Sequence, residues 1–255
     1  MKTWDAQSYH FASDHQVQLA QEFLSHFRYL SPSTICDVGC GSGRVTRMLA
    51  DLFPKAMIYG IDPDVGMLEH SKKSLADLSD RIALILSDVL FIKLPKPMNL
   101  IFSNFAFHWI CDQHLLFKKL HDLLTLDGLL VAQWPTCEDG EPILKKRLRL
   151  DTQFNSFFLN WSDPVHYSKK EEVETILTQT GFRKIQIDEF HSPIQFDSKD
   201  RFLSFARTVE LRHYLLNLPN REIQAHFLDT YAQSTLDRMG KYELEVDVLR
   251  VIATK

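Results

Sequence analysis

The strongest constraint on this chain is a rhythm. Over residues 34–134, short apolar runs alternate with stretches of helical spacing. TICDV (34–38), AMIYGID (56–62), RIALILSD (81–88), NLIFSN (99–104) and GLLVAQW (128–134) read as buried strands. RVTRMLADLF, VGMLEHSKKSLADL and QHLLFKKLHDLL lie between them with helical periodicity. Strands joined by helices need crossover connections, which make the sheet parallel and cover both its faces.

Outside that stretch the pattern loosens. HQVQLAQEFLSHF (15–27) has helical spacing, and RKIQIDEF (183–190) reads as another strand. SKKEEVETILTQTGF is expected to open with a capping box from Ser168 to Glu171 and to stop at Gly181. Helical segments fill 199–236, and KYELEVDVLRVIAT (241–254) is expected as one long final strand. With 255 residues and no evident linker, one domain spanning 1–255 is expected. Its parts are an N-terminal helical lid (1–30), a ligand-binding half (31–136) and cap insertions at 137–167 and 195–240.

Composition narrows the partners. A net charge of -4 argues against nucleic acid, whose phosphates need a basic surface. The four cysteines form no CxxC pair, and Cys36 and Cys40 read as small apolar fillers, which fits a reducing, cytoplasmic setting. No apolar run approaches the roughly 18 residues of a membrane span, and the start has no signal-peptide h-region, so no membrane partner is expected.

The first strand runs into a glycine loop, ICDVGCGSGRVTRML. Gly39, Gly41 and Gly43 suit a tight strand-to-helix turn that lets a ligand approach the backbone. A dinucleotide fingerprint would need a small third residue where Arg44 stands, so that pattern fails. What stands instead is D-x-G-x-G-x-G, with Asp37 placed to face an ammonium group rather than a pyrophosphate. Asp62 ends the second strand about twenty residues on, where a carboxylate takes both hydroxyls of a ribose. Asp88, at the end of the third, is placed to accept from an adenine amino group. Three carboxylates at one sheet edge suit a cationic amino-acid nucleoside.

On ICDVGCGSG, YGIDPDVGMLE, LSDV and LIFSNFAFHWI the chain resembles a class I S-adenosylmethionine-dependent methyltransferase. The resemblance implies a Rossmann-like α/β fold: a seven-stranded, mostly parallel sheet, its last strand antiparallel, with helices on both faces and a helical cap. It implies S-adenosylmethionine as cofactor and S-adenosylhomocysteine as product. Asp37 and the backbone of Gly39, Gly41 and Gly43 would hold the methionyl end, with Asn104 near it, and Asp62 the ribose. Asp88 and the Val89 amide would read the adenine, with Met67 packed beside it. Taken singly, Met67 reads as core and Gly43 as a helix-packing glycine.

WDAQSYHFASDHQVQLAQEFL and the FHW after the fourth strand resemble a smaller group that esterifies carboxylates. It includes the trans-aconitate, juvenile hormone acid and malonyl-carrier-protein methyltransferases. Within it a Gln seven residues after a Tyr, here Gln16 after Tyr9, contacts the acid together with a Trp, here Trp109. Bland readings stand beside these: Gln16 as an exposed helix residue, Trp109 as core. A carboxylate is already ionised at neutral pH, so no catalytic residue is expected and alignment suffices. His108 is the one weak candidate, a base for a hydroxyl or amine acceptor or else a structural histidine.

The expected function is methylation of a small-molecule carboxylic acid. The alternatives are esterification of a malonyl group on an acidic carrier protein, and cofactor binding without turnover. For the carrier, Lys145, Lys146, Arg147 and Arg149 would form a basic docking run, or simply a solvated helix face. Arg207 or Arg212 would pair with a distal carboxylate, or lie on a solvated face. The phenylalanines Phe154, Phe157, Phe158, Phe202, Phe205 and Phe227 would line an apolar pocket or make ordinary core contacts.

Overall fold

The computed structural model describes residues 4–255, so the first three residues of the expected lid lie outside the described residues. Seven strands form the main sheet: β1 (Thr34–Val38), β2 (Met57–Asp62), β3 (Ile82–Leu86), β4 (Met98–Asn104), β5 (Leu124–Thr136), β6 (Arg183–His191) and, after two short strands, β9 (Asp247–Thr254). The short ones, β7 (Ile194–Gln195) and β8 (Glu243–Leu244), pair with each other. The main sheet runs β3-β2-β1-β4-β5-β9-β6, and only β9 is antiparallel to its neighbours. From β1 the chain winds outward to β2 and β3, then returns to β4 on the other side of β1. Strand order reverses there, and an open α/β sheet leaves its ligand crevice at that point, beyond the strand C-termini.

The helices are α1 (Ala6–Ala12), α2 (Asp14–Ser25), α3 (Arg44–Leu52), α4 (Val65–Ser74), α5 (Gln113–Leu123), α6 (Ile143–Leu150), α7 (Lys170–Gln179), α8 (Lys199–Phe205), α9 (Arg212–Leu215) and α10 (Arg221–Met239). Successive side chains of a strand point to opposite faces, so β5 supplies two cores. Val131 joins Ala20, Phe23, Leu24, Leu49 and Ala50 of α2 and α3 on one face. Leu130, Ala132 and Trp134 meet Leu116, Phe117 and Leu120 of α5 and Val173 and Leu177 of α7 on the other. No helix among the described residues is long and apolar enough to cross a membrane.

The cap has its own core. Leu148, Phe154, Phe158, Phe202, Phe205, Tyr214, Phe227 and Tyr231 are all buried together. These phenylalanines hold the cap together rather than lining an open pocket, and Phe157 packs partly buried against them. Burial of such rings contributes on the order of 3–5 kcal/mol each when judged by truncation.

The expected helix over 15–27 is α2, and a second helix, α1, precedes it and ends at Ser13. Two local expectations fail. The capping box at Ser168 does not form: α7 starts at Lys170 with no side-chain cap, and Ser168 is buried, its carbonyl taken by the Thr136 hydroxyl at 2.6 Å. The final strand is broken, since β8 pairs with β7 in the cap while β9 enters the main sheet.

The basic run also turns out differently. Lys145 points inward, 4% exposed, with its ammonium 2.8 Å from Glu210 and 2.8 Å from the Tyr167 hydroxyl. Arg149 pairs with Glu141 at 2.9 Å. Only Lys146 and Arg147 stay exposed, so the run does not present four cations to a partner. Leu144 and Leu148 pull that face of α6 into the cap core, and Lys145 goes with it.

Candidate cofactor and acceptor site

The glycine loop closes on the neighbouring strand. The amides of Gly39 and Cys40 both donate to the Ile61 carbonyl, at 2.8 and 3.0 Å, and hold the turn against the end of β2. Gly39 has φ +75° and lies so near the β4 loop that a Cβ would stand 2.3 Å from the Ala106 Cβ. Gly43 has φ +85°, and a Cβ there would meet the Ser71 hydroxyl at 2.6 Å. Only glycine satisfies both demands. Gly43 therefore does serve helix packing, between the starts of α3 and the body of α4.

Asp62 faces this loop. Its Oδ2 accepts from the Gly41 amide at 2.9 Å and its Oδ1 from the Asp64 amide at 2.9 Å. Burial pushes its carboxyl up to about 6. Asp37 lies deeper, 1% exposed, and accepts from the Thr46 hydroxyl at 2.6 Å. Burial, opposed by the Thr46 hydrogen bond and reinforced by the Asp62 charge, pushes it up to about 7. Two neighbouring carboxyls whose ionisation is opposed by burial favour a ligand that brings positive charge.

Tyr9, Gln16, Asp37, Gly39, Gly41 and Asn104 line a single cleft, joined by Ser13, Val17 and Arg44. Gly43, Asp62, Met67, Asp88 and Val89 are not among its lining residues; Asp62 borders it through its hydrogen bond to Gly41, and Met67, Asp88 and Val89 lie around the ends of β2 and β3. Met67 and Val89 are buried. Asp88 is exposed, one carboxylate oxygen accepting from the Leu90 amide at 2.9 Å. The lid is tied down over the cleft. Arg44 donates to the His10 carbonyl at 2.7 Å and pairs with Asp14 at 2.8 Å. The Trp4 amide donates to Asp64, whose other oxygen caps α4 at the Met67 amide.

Tyr9 and Gln16 meet directly. The Tyr9 hydroxyl donates to Gln16 Oε1 at 2.8 Å, and Gln16 is buried rather than exposed. Asn104 is gripped on both sides: its Nδ2 donates to the Gln16 carbonyl at 3.2 Å, and its Oδ1 accepts from Gln133 at 2.7 Å. Arg250 donates to Gln133 in turn and pairs with Glu22 of α2. Phe105, next along, has φ 55°, strained for a non-glycine residue at the crevice. Trp109 is neither core nor a lining residue of this cleft. It is 36% exposed and sits edge-on to Trp4 at 5.9 Å.

His108 is buried, and burial, with Lys145 and His213 nearby, pushes its imidazole down to about 3. It is neutral at physiological pH and a poor proton acceptor, as a structural histidine would be. Thr46, Gln133 and the cap pair Asp163–His213 were not singled out from sequence. Gln133 left a signal, an amide inside the apolar run LLVAQW; the others left none that spacing reveals.

Residues 35–128 match the family model for a methyltransferase domain. Those residues form a methyltransferase domain, on the seven-stranded fold of the class I S-adenosylmethionine-dependent methyltransferases. The site fits S-adenosylmethionine: buried carboxyls for its cationic end, and glycines at 39 and 41 where the backbone must be approached closely.

Among curated proteins, 138 residues are 33% identical to the trans-aconitate 2-methyltransferase of Yersinia pestis (strain Pestoides F), over 53% of this chain and 51% of that one. The match thus spans about half of each. A chain of Invertebrate iridescent virus 6 described as a methyltransferase is 22% identical over 86% of this chain and 82% of that one. Among solved structures, phosphoethanolamine N-methyltransferase 2 of Haemonchus contortus, in complex with S-adenosyl-L-methionine, superposes with TM-score 0.65. It is 17% identical over 98% of this chain and 56% of that one. YcgJ of Bacillus subtilis superposes with TM-score 0.67 at 15% identity, over 93% of this chain and 98% of that one.

Proposed function

We propose that the chain transfers a methyl group to the carboxylate of a small organic acid. The observation that carries this reading is the Tyr9–Gln16 hydrogen bond. With Oε1 of Gln16 engaged by the Tyr9 hydroxyl, the NH2 of this cleft-lining side chain is the group left to donate to an acceptor. Paired donors suit an anionic oxygen. The likeness to trans-aconitate methyltransferases points the same way.

The bound cofactor supplies an electrophilic methyl group; a carboxylate oxygen forms the O–C bond, the S–C bond breaks with its electron pair left on sulfur, and the products are a methyl ester and S-adenosylhomocysteine. No proton moves, so no base is needed. The chain's residues work by placement. Asp37 and Asp62 hold the cofactor, Asn104 fixes Gln16 through its backbone carbonyl, and α1 excludes water over the reacting pair.

The test is Gln16→Ala. Ester formed from an extract of small acids should fall at least about tenfold, with S-adenosylhomocysteine affinity within about twofold of wild type. Equal ester formation by the variant removes Gln16 as the acceptor contact.

A further inference from the structure

Across β4, β5 and β9 one row of side chains is polar. Asn104 on β4 stands opposite Gln133 on β5, and Gln133 opposite Arg250 on β9. Residues paired in register share a face of the sheet, so the three stand side by side. One row further down the same face is apolar: Phe102, Val131 and Ile252 belong to the core under α2 and α3. Gln133 is fully buried, and Asn104, at the end of the row, lines the cleft.

The row is wired in one direction. Arg250 Nε donates to Gln133 Oε1 at 2.9 Å, and Gln133 Nε2 donates to Asn104 Oδ1 at 2.7 Å. Asn104 Nδ2 then donates to the Gln16 backbone carbonyl at 3.2 Å. Both ends leave no choice of orientation. A guanidinium only donates and a backbone carbonyl only accepts, so neither amide between them can be turned over. Arg250 is itself held: it pairs with Glu22 at 3.2 Å and lies against the rings of Phe23 and Phe190, at 4.8 and 4.3 Å.

The consequence falls at the cleft. Asn104 turns its NH2, not its oxygen, towards Gln16, which lines the same cleft. One of the Asn104 N–H groups goes to the Gln16 carbonyl, and the other has no acceptor among the described residues. The Gln16 side chain beside it has its oxygen engaged by Tyr9. Two amides of one cleft therefore have their oxygens occupied and donors left over. That arrangement suits an anionic oxygen and repels nothing negative, whereas Asp37 in the same cleft has the opposite preference.

We propose that Arg250 is a positioning residue: through Gln133 it keeps Asn104 turned as a donor, and Asn104 with Gln16 grips a carboxylate in the cleft. The carboxylate comes from one of two sources, the methionyl end of the cofactor or the acceptor acid. The second source rests on the carboxylate reading above.

Gln133→Glu reverses the row with little change in shape. An ionised Glu at 133 still accepts from Arg250, but it offers Asn104 an oxygen where an N–H stood. Asn104 then turns its NH2 towards position 133 and its oxygen towards Gln16 and the cleft. Arg250→Lys keeps a donor-only cation at the head of the row, and Arg250→Met removes it.

The experiment titrates wild type and these variants calorimetrically with S-adenosylhomocysteine and with the same molecule lacking its carboxylate. It also measures ester formation against dilutions of a small-acid extract. With the methionyl carboxylate in the seat, Gln133→Glu weakens S-adenosylhomocysteine at least about tenfold and leaves the decarboxylated analogue within about twofold. With the acceptor's carboxylate there, both affinities stay within about twofold, and the extract concentration for half-maximal ester formation rises at least about tenfold. In either case Arg250→Met moves the same quantity and Arg250→Lys rescues it. A folded Gln133→Glu that changes none of these, or that weakens S-adenosylhomocysteine and its analogue equally, overturns the inference. If Gln133→Glu does not fold, the two Arg250 variants decide in its place, and an equal loss in both overturns the inference. If wild type esterifies nothing in the extract, the carboxylate reading falls and the calorimetric comparison alone decides.

Discussion

Asp62 accepts a hydrogen bond from the Gly41 amide at 2.9 Å, so the end of the second strand and the glycine loop form one unit. The contact fixes the Asp62 carboxylate beside the loop, the position expected from sequence to hold the cofactor's ribose. Replacing it with Ala removes charge-assisted hydrogen bonds of about 1.5–3 kcal/mol in total, or roughly 10- to 100-fold in affinity. Calorimetric titration of Asp62→Ala with S-adenosylhomocysteine checks this. Undiminished affinity would sink the assignment of the ribose site.

The same pair of carboxylates makes binding depend on pH. Asp37 is raised to about 7 and Asp62 to about 6, both mainly by burial. A raised carboxyl favours the fold while protonated, so that contribution is complete below about pH 4 and is lost as pH climbs through 6 and 7. A cationic ligand reverses the cost by stabilising the charged forms. The melting temperature of the ligand-free protein should fall between pH 5 and 8. S-adenosylmethionine affinity should rise over that range, and binding near pH 6.5 should release protons, seen by calorimetry in buffers of different ionisation enthalpy.

Gly39→Ala adds a Cβ where the Ala106 Cβ is already 2.3 Å away, on a backbone at φ +75°. Backbone on both sides must shift, and the hydrogen bonds to Ile61 go with it. The expected result is loss of cofactor binding by more than about 100-fold, or failure to fold. Near-normal affinity in a folded variant would contradict the loop geometry.

Lys145→Ala strips the partly buried Glu210 of its cation, which costs about 3 kcal/mol, the low end for breaking a buried pair because Glu210 keeps some contact with solvent. Replacing both residues with Met and Leu should recover most of that. Charge reversal at the exposed Lys146 and Arg147 should leave the melting temperature unchanged. A comparable loss from the exposed pair would mean the run is not divided as the structure places it.

Much of the core was legible because its signals are local. D-x-G-x-G-x-G, the strand-ending Asp62 and the alternation of runs each lie within a few residues, and they give sheet, handedness and crevice together. Lys145 was misread for the opposite reason. KKRLR looks like a solvated face until Leu144 and Leu148 dock into the cap and Glu210, 65 residues on, arrives to pair with it. Ser168 failed as a cap because burial and the Thr136 hydroxyl decided its conformation, and neither is visible in S-x-x-E. The break before β9 follows from β7, a partner strand 50 residues earlier. His213 and Asp163 are equally far apart in sequence, so only folding joins them.

The most direct measurement incubates the protein with S-adenosylmethionine labelled on its methyl group and a pooled extract of small acids. Incorporated label is then treated with mild base. Release as volatile methanol is expected, because a carboxylate acceptor yields a base-labile ester. Label that stays bound through base would mean an amine, carbon or hydroxyl acceptor, and would contradict the carboxylate assignment.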